Sequence, residues 1–229
     1  MREEQGWAED EAVTDFAMEI DEAGLEERAE PVSVDQSTRL LARENRFGLR
    51  ADPASWQAAE APASTVVDVR LRCVAHRHPE CRLRWVTLSV DVSGSEGTVL
   101  DLSPRDEVST HPVRVATRYG GGLSLDILAI PPGPEVALER SSEQDVFFPQ
   151  VTTSGPGFGS ARWDFTQVGE APLHVDRDLR LLVGLPADAS EAQLHAVLRA
   201  GVSVNGALGA IPVVGRRRVR LHAAGVLQR

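Results

Sequence analysis

The segment CVAHRHPEC (73–81) holds both cysteines of the chain and two of its six histidines. It follows the pattern C-x2-H-x-H-x2-C and supplies thiolate and imidazole groups, the ligand types of tetrahedral zinc sites. Its four candidate zinc ligands are Cys73, His76, His78 and Cys81. Zinc ligands usually come as two pairs on separate turns, whereas here one hairpin loop would provide all four. A disulfide is the second alternative, and the sequence favours the third, an ordinary hairpin loop with two nearby thiols.

A second metal pattern lies in the segment HVDRD (174–178). An extended backbone would place His174, Asp176 and Asp178 on one face, as a three-ligand edge for a metal ion. The same aspartates suit a turn before the strand LRLLVGL, because Asp side chains accept hydrogen bonds from nearby backbone N–H groups. The sequence favours the turn.

Catalytic motifs of other kinds are missing from the sequence. The glycine-rich stretch SGPGFGS (154–160) is neither a Walker loop nor G-x-G-x-x-G, and a predicted strand follows it, so no helix N-terminus is available for a phosphate. We predict an ordinary loop at one end of a sandwich. The chain also contains no G-x-S-x-G nucleophile elbow. These observations favour a non-enzymatic protein.

The charge of the chain is concentrated at its N-terminus. The formal net charge is −10, and residues 1–35 contain 13 Asp and Glu against two Arg, which leaves +1 for the remaining residues. A near-neutral body lacks the broad basic surface that nucleic-acid binding requires, and the acidic segment would be repelled by DNA and by anionic lipid. We therefore expect neither nucleic acid nor a membrane as a partner. The absence of lysine, with all 24 basic residues arginine, is typical of a high-GC bacterial genome.

Residues 1–36 are predicted to form an acidic disordered arm. Apolar side chains are interspersed among its carboxylates, as in segments that fold when a partner offers an apolar groove. These side chains are Trp7, Phe16, Met18, Ile20 and Leu25. We predict that they bind a protein partner, which would be basic or would carry an apolar groove. The alternative is a solubilising tail, which is the usual role of a charge run.

One basic cluster lies near the C-terminus, in GRRRVR (215–220). Its members are Arg216, Arg217, Arg218 and Arg220. They can protect an exposed edge strand from pairing with other chains. Alternatively, they provide a counter-surface for the acidic arm, within the chain or on a neighbouring copy, which would make a homo-oligomer.

The body of the chain is predicted to be all-β, an antiparallel β-sandwich over residues 66–227 that follows a short helix (37–49) and a linker (50–65). Val67, Val69, Leu71 and Cys73 alternate with polar residues, the period-2 pattern of a half-buried strand. Many short strands of this kind, separated by turn residues, indicate a sandwich.

At two places in the body, the pattern of residues departs from simple alternation or also fits a helix. The phase of Cys81 and Leu83 opposes that of Val86 and Leu88, and a β-bulge near Trp85 would reconcile them. The segment 190–201 has a helix cap and helix formers, but its apolar residues alternate through Val204. We therefore predict a long strand there.

The succession of strands and Gly-rich turns, with SGPGFGSARWDF leading into LRLLVGLP, resembles uncharacterised β-sandwich proteins of actinobacterial genomes. The resemblance spans about residues 65–205. It implies a β-sandwich fold and brings no activity, cofactor or partner with it.

We predict a cytoplasmic protein, because the N-terminus shows no secretory signal and two cysteines make no disulfide framework. The predicted function is a non-enzymatic protein-interaction module or scaffold that uses the arm and the loops of the sandwich. One alternative is a metal-dependent enzyme or metal-binding protein that uses the zinc pattern of CVAHRHPEC or the metal edge of HVDRD. Another is a membrane-acting or envelope-associated β-protein, which would need an exposed apolar surface or an export route, and the sequence shows neither.

Overall fold

The computed structural model of the chain describes residues 14–26, 35–52, 54–58, 64–109, 112–118, 141–205 and 209–222. Most of these residues lie in strands, and all strand pairs among them are antiparallel. The prediction of an all-β antiparallel fold is confirmed.

The first sheet contains six strands of the described residues. In the order of pairing they are β1 (Thr14–Asp15), β3 (Arg46–Ala51), β5 (Ser64–His76), β13 (Val175–Pro186) and β7 (Thr98–Ser103), while β4 (Ser55–Ala58) pairs with the start of β5. The centre of this sheet is the pair β5–β13, which keeps one register along the whole of β13.

The second sheet contains seven strands of the described residues. In the order of pairing they are β2 (Glu19–Ile20), β15 (Ile211–His222), β14 (Glu191–Val204), β6 (Cys81–Asp91), β12 (Ser160–Thr166), β11 (Pro149–Ser154) and β8 (Glu107–Val108). The strand predicted over 190–201 is confirmed as β14. Two further strands, β9 (Val113–Arg118) and β10 (Ser141–Val146), pair only with each other within the described part of the chain. We call them the β9–β10 ribbon.

Residues from the inner faces of both sheets form one hydrophobic core. In the first sheet, Val67, Val69, Leu71 and Cys73 are at most 2% exposed, as their alternation predicts. Because successive side chains of a strand point to opposite faces, the polar residues between them lie on the outer face.

The predicted β-bulge near Trp85 is confirmed in the second sheet. Gly201 of β14 pairs with Trp85, but the next residue, Val202, pairs with Leu83. Arg84 is therefore the extra residue of β6 at this point, and the bulge reverses the phase of the strand. As a result, both Leu83 and Val86 are buried in the core.

Two α-helices are present in the described residues, α1 (Glu22–Glu26) and α2 (Gln36–Arg43), together with one 3-10 turn at Ser93–Ser95. The helix predicted over 37–49 corresponds to α2, which begins at Gln36 and already ends at Arg43. Asp35 is the N-cap, and its carboxylate accepts a hydrogen bond from the Thr38 N–H at 2.7 Å. The side-chain and backbone hydrogen bonds with Thr38 lower the pKa of Asp35 to about 2.

The predicted linker 50–65 also differs from the structure. After α2, the chain continues as β3, which pairs with β5 from Arg46 to Ala51. β4 then pairs with the start of β5. The helix ends early and the linker contains strand because the exposed backbone edge of β5 offers hydrogen-bonding partners to both segments, which local sequence preferences do not reveal.

Residues 14–26, predicted to belong to a disordered arm, are folded onto the body. β1 pairs with β3 of the first sheet, and β2 pairs with β15 of the second. Between them, Phe16 and Met18 are 6% and 7% exposed. A Cβ atom on Gly215 would lie 2.7 Å from the Met18 Sδ atom and 2.8 Å from the Phe16 Cβ atom, so glycine is required beneath these side chains. The segment thus joins the edges of the two sheets.

Replacing Phe16 by alanine tests this joint. We expect the Phe16→Ala variant to lose about 3 kcal/mol of unfolding free energy, because it leaves a cavity where the two sheets meet. Leu40→Ala is the control, since Leu40 is 55% exposed and its truncation should cost less than about 0.5 kcal/mol. The measurement is chemical denaturation of the full-length chain. Equal midpoints for Phe16→Ala and wild type would contradict the packing of this segment.

Candidate functional site

The four candidate zinc ligands do not converge in the structure. Cys73 is buried in the core, whereas His76 is exposed on the opposite face of β5. The His78 Nδ1 atom accepts a hydrogen bond from the Glu80 N–H at 3.2 Å, so its lone pair is already engaged. The Cys81 Sγ atom lies 3.5 Å from the Leu41 carbonyl oxygen. Among the described residues, no three His, Cys, Asp or Glu side chains are grouped as metal ligands.

The loop from β5 to β6, which crosses from the first sheet to the second, is organised by Asn45 instead. The Asn45 side-chain Nδ2 donates to the carbonyl oxygens of Leu41 and Ala42, at 3.1 and 2.9 Å, at the end of α2. Its Oδ1 accepts from the His78 N–H at 2.9 Å. Asn45 is 3% exposed, and it satisfies backbone groups that would otherwise lack partners. The loop is a structural connection between the two sheets, docked on a helix end. It is not the hairpin loop that the sequence favoured, because β5 and β6 pair with other strands and belong to different sheets.

Substitution of Asn45 by alanine should destabilise this junction. It removes the partner of the His78 N–H and of two helix carbonyls, and we expect a loss of about 2 kcal/mol in unfolding free energy. Asn205→Ala is the matched control, because Asn205 is exposed and its side-chain bond to Glu80 is 3.3 Å long. Urea denaturation measures both variants. A smaller loss in Asn45→Ala than in Asn205→Ala would show that Asn45 is not the organising residue.

Both cysteines are free thiols and both are buried. Burial raises the pKa of the Cys73 thiol to about 12, with the Asp176 carboxylate adding a smaller effect. Burial also raises the pKa of Cys81. Since the thiolate is the reactive form, both side chains are inert in the folded protein.

A thiol titration checks this assignment. At pH 8 we expect the folded protein to react with a disulfide reagent at neither cysteine, and the denatured protein to react at both, because unfolding removes the burial that keeps the thiols protonated. The absorbance of the released chromophore gives the number of thiols that have reacted. Absence of reactive thiols after denaturation would reveal a disulfide, and rapid reaction before it would contradict the burial.

The residues of the HVDRD segment also make structural contacts and do not form a three-ligand metal edge in the described part of the chain. Asp176 forms a two-point ion pair with Arg72, with distances of 2.9 and 3.1 Å, and this hydrogen bond lowers the pKa of Asp176. Asp178 lies on the exposed face of β13, and His174 precedes the strand. The His174 ring approaches His76 instead, at 6.2 Å between ring centroids. The segment begins a strand, rather than forming the predicted turn.

The predicted partner-binding residues of the arm have different positions. Phe16 and Met18 are buried, Ile20 packs against the core, and Leu25 is half-buried in α1. Trp7 lies outside the described residues. Phe16, Met18 and Ile20 are therefore engaged within the chain, where they pack against the core.

The four arginines of the C-terminal cluster lie on two opposite faces of β15. Arg216, Arg218 and Arg220 are exposed on one face of β15, whereas Arg217 is half-buried on the other. Its Nη1 donates to the Leu49 carbonyl oxygen of β3 at 2.7 Å, and burial lowers its pKa. Arg217 is therefore a link between the sheets rather than part of a basic surface, because alternate residues of a strand face opposite sides.

Two arm carboxylates pair with arginines outside that cluster. Asp21 lies 3.5 Å from Arg199, and Glu22 lies 2.6 Å from Arg39. The Glu22–Arg39 pair is exposed and contributes little to stability, whereas the Asp21 side chain is 18% exposed. Docking of the remaining arm on Arg216, Arg218 and Arg220 stays a prediction.

Three exposed apolar residues lie near the edge of the second sheet, and sequence reasoning missed them. Phe147 is 53% exposed, Phe148 is 38% exposed, and Val108 is 63% exposed. Their backbones are neighbours, because Val108 pairs with Pro149 and the Ser109 N–H donates to the Phe148 carbonyl oxygen at 2.9 Å. We call these three residues the phenyl surface.

The phenyl surface lies at the base of the β9–β10 ribbon. The chain leaves the second sheet after Val108, forms the ribbon, and returns through Phe147 into β11. The segment DVFFPQV reads as a strand from its β-branched and aromatic residues, but it spans the end of β10 and the start of β11. Two adjacent phenylalanines before a proline are the signal that could have indicated this exposed junction, since proline restricts pairing in a sheet.

The phenyl surface has a charged margin. Asp106 accepts a hydrogen bond from the Thr153 N–H at 2.8 Å, and Glu107 lies 3.4 Å from Arg177. An apolar centre with a polar rim is the usual composition of a protein–protein interface.

Comparisons with known proteins assign no family. No family model matches the chain, and no curated protein matches it. Among solved structures, it is similar to the Clostridium perfringens delta-toxin, with 10% identity over 82% of this chain and 86% of that one and a TM-score of 0.38. It is also similar to the Clostridium perfringens NetB toxin in its membrane-inserted form, with 7% identity, coverage of 76% and 88%, and a TM-score of 0.31.

A third solved structure, titled a pore forming protein, is 7% identical over 82% of this chain and 93% of that one, with a TM-score of 0.33. These likenesses are too distant to give the chain a family or a function. The resemblance to actinobacterial β-sandwich proteins stays a prediction. In the described ranges, no helix is long and apolar enough to cross a membrane.

Proposed function

We propose that this protein is a non-enzymatic protein-interaction module that binds its partner through the phenyl surface. The observation that carries the proposal is the exposure of Phe147 and Phe148 on adjacent positions beside Val108. This replaces the arm as the proposed contact surface, because Phe16 and Met18 are buried.

The energetics of the phenyl surface favour a partner. Full burial of a phenylalanine side chain is worth about 1.5–3 kcal/mol, so two exposed rings leave a substantial free energy available for binding. Side chains of this kind, at the centre of a contact and surrounded by polar groups, carry most of the binding energy in interfaces. The rings therefore suit an apolar groove on another protein.

The charges around the phenyl surface favour a protein over a lipid surface. The exposed Asp106 lies two positions before Val108 in the chain, and its carboxylate would be repelled by anionic lipid headgroups. The neighbouring Glu107 is paired with Arg177. A protein partner can provide matching polar groups at the rim. We propose that the interaction takes place in the bacterial cytoplasm, a reducing compartment in which the thiols of Cys73 and Cys81 would stay free.

Site-specific photocrosslinking tests the proposal. A photoreactive phenylalanine replaces Phe147 in one full-length protein and Phe158 in a second one. Phe158 is the control position, because it is 71% exposed and lies beyond the other end of β11. We expect crosslinks to one defined protein from position 147 only, because the phenyl surface is the contact. An excess of wild-type protein should suppress them, and an excess of the double variant Phe147→Ser/Phe148→Ser should not.

Several outcomes would overturn the proposal. Equal crosslinking from positions 147 and 158 would show a nonspecific reaction, and crosslinks to lipid alone would make the surface a membrane contact. A crosslink to a second copy of this chain, matched by a dimer mass in light scattering, would support an interaction module whose partner is itself.

A further inference from the structure

Trp85 occupies an unusual position on the outer face of the second sheet. After the β-bulge, Trp85 and Thr87 alternate with the buried residues Val86 and Leu88, so the indole lies outside the core. The side chain is half-buried rather than covered. It pairs across β14 with Gly201 and across β12 with Thr166.

The absence of a side chain at Gly201 gives the indole its place. A Cβ atom on Gly201 would lie 2.7 Å from the indole Cε2 atom and 2.9 Å from Cδ1, closer than such atoms approach in proteins. The five-membered ring of Trp85 therefore lies against the backbone of β14. An aromatic side chain that covers a cross-strand glycine also stabilises the sheet.

A polar wall stands beside the indole. The Thr87 hydroxyl donates to the Asp164 Oδ1 atom at 2.5 Å. Arg162 forms a two-point ion pair with the same carboxylate, with Nε–Oδ2 and Nη2–Oδ1 distances of 2.7 and 2.8 Å. This pair holds the guanidinium and the carboxylate side by side. The Arg162 side chain is 55% exposed and that of Asp164 is 27% exposed, and each group keeps hydrogen-bonding capacity beyond the pair.

The indole and the polar wall border one depression of about 380 Å³. It is lined by Trp85, Thr87, Arg162, Asp164, Phe165 and Thr166. Its volume is in the range of small-molecule sites, and its composition, an aromatic surface with a few convergent polar groups, is typical of them.

We propose that this depression binds a neutral carbohydrate, with a pyranose ring against the Trp85 indole and its hydroxyl groups on Arg162 and Asp164. A pyranose ring has an apolar face of C–H groups and a rim of hydroxyls that both donate and accept hydrogen bonds. The depression offers the complement of both: an aromatic surface, a guanidinium that donates and a carboxylate that accepts.

The electrostatics of the site favour a neutral ligand over an ion. The charges of Arg162 and Asp164 cancel across their two-point pair. An anionic ligand that approaches Arg162 meets the Asp164 carboxylate, and a cationic ligand stacked on the indole meets the Arg162 guanidinium. A polyol meets no such repulsion.

The outer face of the first sheet provides a matched comparison. Arg180 and Asp68 form the same two-point pair there, at 3.0 and 2.9 Å. Asp68 is flanked across the strands by residues other than tryptophan, since Leu182 and Ser55 are its register partners. Loss of this second pair should leave sugar binding unchanged.

The experiment uses the full-length protein and a panel of methyl pyranosides and their disaccharides. Saturation-transfer NMR identifies the sugars that bind, and calorimetry gives their dissociation constants. We expect Arg162→Gln to weaken binding by about tenfold, because a hydrogen bond from a charged group is lost. Trp85→Ala should weaken it by about tenfold or more, because the apolar surface is lost. Arg180→Gln should bind as wild type does.

Trp85 could cover Gly201, bind a sugar, or do both, and a measurement of thermal stability beside sugar binding distinguishes these roles. If the indole only covers Gly201, Trp85→Ala lowers the melting temperature and the wild-type protein binds none of the sugars, which overturns the proposal. Binding that survives in both Trp85→Ala and Arg162→Gln would place the sugar elsewhere and would also overturn it. Arg162→Gln keeps the indole in place, so its effect on binding remains readable if Trp85→Ala does not fold. The phenyl surface is untouched by these variants, and its crosslinking result is independent.

Discussion

Two pairs of long antiparallel strands, β5–β13 in one sheet and β6–β14 in the other, bury their inner faces in one core. Because side chains alternate along a strand, a slip of one residue would move a whole apolar face into water, so the register of each pair is strongly determined. These pairs also position the loop at 77–80, which joins β5 of the first sheet to β6 of the second, and the depression at Trp85. Trp85 and Asp68 lie on the outer faces of β6 and β5.

Different segments of the chain connect the two sheets at the two lateral edges of the sandwich. On one side, residues 14–26 span from β3 to β15, and Arg217 adds a hydrogen bond from β15 to Leu49. On the other side, the loop at 155–159 joins the second sheet to β7 through Val99, with hydrogen bonds of 2.8 Å to Gly157 and Phe158. Gly157 has φ of +85°, which suits glycine in this tight loop. The ribbon and the phenyl surface lie on this second side. Covered edges resist pairing with other chains, which leaves recognition to side chains.

The outer faces of the sheets also differ in their capacity to bind. The first sheet carries ion pairs such as Arg72–Asp176 and Arg180–Asp68, whose groups satisfy each other. The second combines one such pair with a half-buried indole. A protein contact through the phenyl surface and a sugar contact at Trp85 would occupy different parts of the same sheet. A module that joins a protein to a glycan would need that separation.

Much of the fold was readable from residue patterns, but the candidate sites were not. Alternation predicted the strand over 67–73, the long strand at 190–201 and the bulge near Trp85, because each depends on which side chains face the core. In the sequence analysis, Trp85 only indicated where a β-bulge changes the phase of the strand. Its neighbours Arg162, Asp164 and Gly201 come from two other strands, and strand order is not contained in periodicity.

The sequence by itself determined the all-β class and the inward phase of the main strands. These follow from local geometry, since the period of a strand is a property of consecutive residues. Only the tertiary structure decided that residues 77–80 connect two sheets instead of forming a hairpin, that Asn45 holds this loop, that Phe16 and Met18 are core residues, and that Phe147 and Phe148 remain exposed. Burial depends on which distant segments supply a cleft, and the cleft exists only after both sheets have assembled.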